Sequence, residues 1–225
     1  MAQFIQEHRL LLLLVFAAVC TFIWLMRFRS RLGMKWYAAL CCSVLHVVYG
    51  VFCVKAFAVL EGNPVSNGAM SLFGAVFFMP VAYWLGAKIS KRDTRTVFDL
   101  FTVPLVFTLA CARVNCLFAG CCKGQVIPFI HSQTVRWPVR EAELVFYAVL
   151  LAFFVIRTFK SKTNGELYPI YLMAYGVFRF VIEFFRESDH ILGLFHISHL
   201  WAMLALIIGA SVYFEIHNKK RKKRS

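Results

Sequence analysis

Charge is scarce in this chain of 225 residues, and acid is scarcest: 11 Asp and Glu face 25 Lys and Arg, and charged residues total 16%. A water-soluble domain carries nearer a quarter charged residues and about half apolar ones. Here 60% of residues are hydrophobic and the mean hydropathy is +0.69, which argues against such a domain. Disorder is excluded as well, because disordered segments are poor in aromatic residues and this chain holds 24 Phe. A formal charge of +14 and a pI near 9.7 invite nucleic acid as a partner. No single basic stripe exists to bind it, since the basic residues punctuate long apolar runs. The chain lacks a Gly-rich nucleotide loop, so ATP-driven chemistry is not indicated. Paired interrupted helices, the mark of many secondary transporters, are also missing, as are repeats and low-complexity tracts. What remains is the composition of a polytopic membrane protein, read as one domain over residues 1–225.

A helix crosses the hydrocarbon core with about 20 mostly apolar residues. Seven such runs are present, at roughly 10–26, 36–60, 70–89, 96–118, 140–158, 166–186 and 197–216. The fold class expected is therefore all-α, a bundle of about seven transmembrane helices. A cleavable signal peptide is not expected. Met1–Arg9 is nearly neutral, no small-residue cleavage site follows, and the first apolar run ends in a basic stop.

Basic residues set orientation. Arg27, Arg29, Arg31 and Lys35 follow the first run, Lys88, Lys91, Arg92 and Arg95 the third, and Arg157, Lys160 and Lys162 the fifth. Six more lie in the tail from Lys219 to Arg224. In a seven-helix count these 17 residues share one side, whereas the opposite loops hold only Lys123 and Arg136. The expectation is an outer N-terminus and a cytoplasmic C-terminus.

The remaining basic residues are the informative ones, because ionisable groups at membrane depth are costly and mark function by default. Arg9 lies at a helix end and Lys55 can snorkel, so both read as ordinary. Arg113 falls about 7 Å short of the outer end of the fourth helix at 1.5 Å per residue. Tyr171, Tyr175, Arg179, Glu183 and Arg186 recur at helical spacing and share one face of the sixth. Arg140, Glu143 and Tyr147 open the fifth. The outer half of three helices thus presents a cationic, polar cavity. Guanidinium groups suit phosphate through bidentate hydrogen bonds, and the phosphate abundant at an outer leaflet is a phospholipid head group. The alternative stays open that Arg179–Glu183 and Arg140–Glu143 are ion pairs that only fix packing. That alternative leaves Arg113 and Arg186 without obvious carboxylate partners.

Of eight Cys, three form the C-x4-C-C run Cys116, Cys121 and Cys122. Zinc sites favour C-x2-C pairs or His at ligand spacing, neither of which is present, and iron–sulfur ligation is equally unsupported. No metal or cofactor is expected, and a Cys116–Cys121 bridge cannot be deduced from sequence. His199 is the histidine to watch as a base near the cavity, whereas His8, His131 and His217 read as surface residues. His46 falls mid-membrane, His190 in an outer loop, and His196 beside His199.

Two segments carry a resemblance. Ala112-Arg113-Val114-Asn115-Cys116-Leu117-Phe118-Ala119-Gly120-Cys121-Cys122-Lys123-Gly124 resembles the signature of the prolipoprotein diacylglyceryl transferase family around its essential arginine. Tyr175-Gly176-Val177-Phe178-Arg179-Phe180-Val181-Ile182-Glu183-Phe184-Phe185-Arg186 is similar to that family's Tyr-Gly-x-x-Arg-Phe-x-x-Glu-Phe-x-Arg segment. Pro138 with Glu143 fits a weaker motif, and Asn67-Gly68-Ala69-Met70-Ser71 with Gly74 a fourth. The chain reads as a short, divergent member. Phe73 stands where the family commonly has His or Tyr, Cys116 where it has Asn, and Cys121 where it has a carboxylate. Arg140 and His199 each replace a Gln.

The resemblance implies transfer of diacylglyceryl from phosphatidylglycerol to the lipobox cysteine of a prolipoprotein, with a thioether formed and glycerol phosphate released. It implies Arg113 and Arg179 as catalytic residues. It implies substrate-binding roles for Gly120, Gly124, Arg140, Glu143, Tyr175, Glu183, Arg186 and His199. Glu143 and Glu183 would orient the arginines. The partners implied are phosphatidylglycerol, the signal-peptide region of a prolipoprotein and the bilayer of a bacterial cytoplasmic membrane. Two other readings stay open: a non-catalytic relative that binds anionic phospholipid, and a transferase with a different acceptor.

Overall fold

The structure is a computed structural model that describes residues 2–64, 69–127, 135–160, 165–187 and 196–222. Asn67, Gly68, His131, Lys162, His190, Lys223 and Arg224 lie outside the described residues. Among the described residues eight helices follow in order: α1 (Ala2–Arg27), α2 (Arg29–Leu32), α3 (Trp36–Leu60), α4 (Phe73–Ile89), α5 (Thr94–Ala119), α6 (Val139–Lys160), α7 (Leu167–Glu183) and α8 (Ile197–Lys222). No strand occurs among the described residues, only two isolated bridges, Gly124 with Arg186 and Val126 with Arg136. Five helices are long and apolar enough to cross a membrane, namely α1, α3, α5, α6 and α8. Helices α4 and α7 have 17 residues each.

Each apolar run coincides with one helix, and α2 is a four-residue connector stopped by Gly33 in the left-handed conformation. The largest difference is at α7, expected to continue through residue 186. It ends at Glu183, after which Arg186 leaves the helical path to bridge Gly124. The expected single face from Tyr171 to Arg186 therefore stops at Glu183, three residues before its last member.

The burial pattern is inverted relative to a water-soluble bundle. Leu45, Phe52, Val145 and Val149 are each more than 60% exposed, while Arg113, Glu143, Arg179, Glu183 and His199 are buried. Such an apolar exterior is far larger than soluble monomers show. It matches a surface whose solvent is lipid, with polar groups satisfied inside.

One end of the bundle collects the basic segments. Arg92 Nη2 donates to the Gly33 carbonyl at 2.9 Å, Arg31 Nη1 to the Thr158 carbonyl at 3.2 Å, and Gly165 lies against Arg95. Here α5 starts under an Asp93 cap, whose carboxylate accepts from the Thr96 amide at 3.0 Å. Buried Asp99 accepts from the Gly165 and Leu167 amides at 2.7 and 2.8 Å, which pins the start of α7 to α5. From that anchor, Arg113 lies about 21 Å along α5 and Arg179 about 18 Å along α7, at 1.5 Å per residue. The two guanidinium groups therefore arrive at the same depth, at the other end of the bundle. Helix α8 braces α7 closely, because Gly176 leaves room for the Ala202 carbonyl where a Cβ would come within 2.7 Å.

Candidate active site

At that other end, α5, α6 and α7 each contribute charged side chains that neither periodicity nor burial alone would join. Arg113 Nη1 pairs with Glu143 Oε2 at 3.0 Å, and Glu143 Oε1 accepts from Arg179 Nη1 at 2.7 Å. Arg179 Nη2 reaches Glu183 Oε2 at 2.9 Å, and Arg186 Nη1 approaches the same oxygen at 3.8 Å. His196 Nδ1 stands 3.8 Å from the other Glu183 oxygen. The result is a continuous series, Arg113–Glu143–Arg179–Glu183–Arg186, in which guanidinium groups outnumber carboxylates. Only Arg186 reaches outwards appreciably, its side chain 23% exposed.

Three sequence expectations are corrected here, while the Arg179–Glu183 pair forms as its spacing offered. Glu143 does not pair with Arg140; it lies one helical turn further along α6 and is shared by Arg113 and Arg179. Arg140 stays at the half-exposed start of α6, 3.9 Å from Glu141, with Nη1 directed to the Leu117 carbonyl at 3.5 Å. It is not part of the buried series. Arg113 and Arg186 both have carboxylate partners: Glu183 lies three residues before Arg186, within reach of local spacing, whereas the Arg113–Glu143 pair joins two helices and no spacing along one helix reveals it. Nor do the arginines line an open cavity, because Arg113 and Arg179 are 5% and 4% exposed. A cavity of about 630 Å³ lies at the basic end instead, with Lys35, Arg92 and Tyr83 among its lining residues.

Aromatic rings close the series. Arg179 lies over the Phe73 ring at 5.6 Å, and Phe73 meets Tyr175 edge-on at 5.6 Å. Tyr147, Tyr171 and Tyr175 are fully buried beside it. The Nε atoms of Arg113 and Arg179 and the hydroxyls of Tyr171 and Tyr175 have no hydrogen-bond partner among the described residues. Each is a donor, and buried donors are almost always satisfied. An acceptor, most simply an anion, is the group that the two Nε atoms and the Tyr175 hydroxyl call for, whereas Tyr171 lies two turns before Arg179 on α7, between Tyr168 and Tyr175.

The loop after α5 fixes the outer edge of the site. Gly120 caps α5 in the left-handed region at φ 70°. Gln125 N donates to the Phe185 carbonyl at 2.9 Å, Glu187 N to the Lys123 carbonyl at 3.1 Å, and Trp137 N to the Gln125 carbonyl at 3.0 Å. Three chain segments meet here, and Gly124 sits at their crossing, where a Cβ would stand 2.1 Å from the Trp137 carbonyl oxygen. Its backbone supports the bridge to Arg186, so its visible role is positional.

His199 is placed on the inner side of this edge. Its Nδ1 accepts from the His196 amide at 3.0 Å, and its ring packs on Phe180 and Phe184. An accepting Nδ1 puts the proton of the neutral ring on Nε2, which makes that buried nitrogen a donor.

Two groups near the arginines were missed from sequence. Glu61, just past α3, has a carboxyl pushed up by burial, against the opposing pull of a Ser71 hydrogen bond and of Arg179 and Arg186. No periodic pattern reaches it, because it lies on a turn. Cys122 receives Arg186 Nη2 at 3.4 Å and Arg113 Nη1 at 3.8 Å. Its thiol is held well below the usual range by a Cys116 hydrogen bond, then by those two cations, with burial opposing.

Comparison with known proteins returns the same family as the sequence motifs. A family model described as prolipoprotein diacylglyceryl transferase matches residues 11–215. The phosphatidylglycerol–prolipoprotein diacylglyceryl transferase of Dehalococcoides mccartyi is 23% identical over 233 residues, covering 94% of this chain and 88% of that protein. The enzyme of the same name from Pasteurella multocida is 31% identical, over 70% of this chain and 63% of its own. That of Mannheimia succiniciproducens is 33% identical, over 57% and 51%.

Proposed function

This chain belongs to the prolipoprotein diacylglyceryl transferase family, and we propose on that premise that it moves diacylglyceryl from phosphatidylglycerol to the lipobox cysteine of a prolipoprotein. It is a multi-pass membrane protein and a transferase of lipoprotein biosynthesis. In the proposed reaction the cysteine sulfur bonds to the glyceryl carbon and the carbon–oxygen bond to phosphate breaks. The electron pair leaves with glycerol phosphate, and the thiol proton goes to solvent.

The observation that carries the reading is the set of three buried donors beside a shared carboxylate, the Nε atoms of Arg113 and Arg179 and the Tyr175 hydroxyl. Arg113 Nη1 and both Nη atoms of Arg179 are engaged by Glu143 and Glu183, so the two Nε edges, with Tyr175, are what remains to meet a phosphate. Donors fixed before the reaction stabilise charge that develops on the departing phosphate without reorganising. Arg113 and Arg179 take that catalytic role. Glu143 and Glu183 orient them, and Gly120 and Gly124 shape the loop beside them. Arg186, Arg140, Tyr175 and His199 contact the head group. Cations also lower the pKa of an approaching thiol, which lessens the need for a base where Phe73 stands.

Seven crossings, α1 and α3 to α8 over one domain of residues 1–225, suit this chemistry. The basic end faces the cytoplasm, the N-terminus and the arginine series face outwards, and the membrane is the bacterial plasma membrane. The concentration of 17 of 25 basic residues in alternate connections supports that orientation. The signal-peptide region of the acceptor then meets the lipid at the outer leaflet.

The test is complementation of a strain depleted of its own transferase, followed by mass measurement of a reporter lipoprotein. Wild type adds a diacylglyceryl mass to the reporter. Arg113→Ala and Arg179→Ala insert but add none. Normal lipidation by both variants defeats the proposal, as does a wild type that inserts and leaves the reporter unmodified.

A further inference from the structure

The chemistry left unused by the arginine series lies in the turn after α5. Cys116 is on the last turn of that helix, and Cys121 and Cys122 follow the reversal at Gly120. Their three Sγ atoms lie within 4.8 Å of one another, and all three thiols are unbridged. The C-x4-C-C spacing lacks the paired cysteines of familiar zinc sites. The reversal at Gly120, φ 70°, followed by Cys122 at φ 56°, is what brings the sulfurs together. A non-glycine residue in the left-handed region is uncommon. Here the flanking hydrogen bonds from Gln125 to Phe185 and from Glu187 to Lys123 hold it.

We propose that Cys116, Cys121 and Cys122 form a three-sulfur site for one thiophilic metal ion, with zinc as the probe, whose fourth position takes the acceptor thiol. The identity of that fourth ligand rests on the transferase reading; the metal site itself does not. An equilateral triangle with 4.8 Å sides has its centre about 2.8 Å from each corner, against a zinc–sulfur bond of about 2.3 Å. With the metal out of the sulfur plane, as a fourth tetrahedral position requires, each sulfur needs to move inwards by at most about 0.6 Å. Three protein ligands leave one position open, the pattern of catalytic and not of structural zinc. Cys121, the exposed member, places that position on the outer side.

The surroundings suit the charge. Three thiolates on a dication leave an excess of negative charge, and Arg186 and Arg113 already direct Nη atoms at the Cys122 sulfur. Outer-shell donors of this kind orient and tune ligands. A thiol that coordinates zinc is deprotonated outright, its proton passing to water. Its sulfur then attacks the glyceryl carbon, and the carbon–oxygen bond breaks with its electron pair going to the phosphate beside the arginines. The thioether product is a weaker donor than a thiolate and leaves the metal. Phe73 cannot accept a proton, and this arrangement does not ask it to.

The experiment uses the full chain purified in detergent under reducing conditions. Metal content is measured after equilibration with zinc, and cadmium substitution is followed by thiolate-to-metal absorption. Wild type should hold one zinc per chain. Cys116→Ser and Cys121→Ser should each bind at least about 10-fold more weakly, while Cys41→Ser, on α3, should bind as wild type. Cadmium absorption should increase when a peptide with a lipobox cysteine is added, and not with its serine counterpart. Absence of stoichiometric zinc in the reduced wild type overturns the site, as does mass-spectrometric detection of a disulfide among the three in active protein. Zinc bound without an absorption change on adding the peptide overturns the fourth-ligand assignment. Full lipidation by a metal-free protein overturns the metal's part in the transfer and leaves the transferase reading standing. Zinc and peptide binding without lipidation does the reverse.

Discussion

Replacing Glu143 with Gln tests the ion-pair series at its centre. Glu143 is the carboxylate that Arg113 and Arg179 share, at 3.0 and 2.7 Å. With an effective dielectric of about 20 and charge centres about 4 Å apart, each pair is worth about 4 kcal/mol before desolvation. Glutamine keeps one oxygen for one guanidinium and turns a donor NH2 towards the other. Two buried cations then face each other without the charge that separated them. Breaking a buried pair from one side costs about 3–5 kcal/mol. For a chain of this size that lowers the unfolding midpoint on the order of 10 °C, readable by tryptophan fluorescence in detergent. Arg113 also loses its orientation, and a misplacement of about 1 Å costs about 100-fold in rate, readable as initial lipidation of a reporter. Arg113→Met combined with Glu143→Gln should be less destabilised than the two single effects added, by about 0.5–3 kcal/mol. A Glu143→Gln protein that melts within about 1 °C of wild type and lipidates normally refutes this reasoning.

Gly124→Ala places a Cβ 2.1 Å from the Trp137 carbonyl oxygen. The loop must open, so lipidation should fall steeply while the helical content by circular dichroism is unchanged. Arg140→Ala removes a half-exposed group outside the buried series. Its midpoint should lie within about 0.5 kcal/mol of wild type, with a rise in the apparent KM for phosphatidylglycerol and little change in kcat. Glu61 has a raised carboxyl pKa in the folded state, chiefly from burial. The folded chain then holds a proton that the unfolded chain releases near pH 4.3, so stability falls as pH rises through the raised pKa. Midpoints measured from pH 4 to 7 should decline more for wild type than for Glu61→Gln, and parallel curves would count against it.

The helices were legible because a run of about 20 apolar residues has few alternatives in a membrane, and every such run coincides with one. The residues Arg113, Glu143, Arg179 and Glu183 were legible as a set, since ionisable groups in apolar runs are rare. Of their pairs, Arg179 with Glu183 followed from i,i+4 spacing, but the partners of Glu143 did not. Spacing along one helix offers Arg140 to Glu143, whereas the partner is set by the depth at which α5, α6 and α7 meet, and that depth follows from Asp99 holding the start of α7. Arg186 misled for a related reason. It keeps helical spacing from Glu183, but the chain leaves the helix to bridge Gly124. The cysteine run was read by its spacing, and the left-handed turn at Gly120 and Cys122 is what changes its geometry.

Phe73 ties the two halves of the chemistry together. Its ring lies 5.6 Å from the Arg179 guanidinium carbon and edge-on to Tyr175. An apolar ring there excludes water from the face of Arg179, and electrostatic interactions strengthen as the local dielectric falls. In the proposed reaction, stabilisation of a departing phosphate would therefore gain from Phe73, while proton transfer at that position is given up. Those two consequences have to be met together: a site that stabilises the leaving group this way needs a nucleophile that arrives already deprotonated. The proposed sources of that deprotonation are the cation Arg186 and the three sulfurs beside it, and both lie at the outer edge, where an acceptor cysteine would come in. The proposed division of labour, between a dry, buried anion clamp and a wetter, thiol-activating rim, would account for why the series is closed by aromatic rings on one side and left with Arg186 and Cys121 reaching outwards on the other.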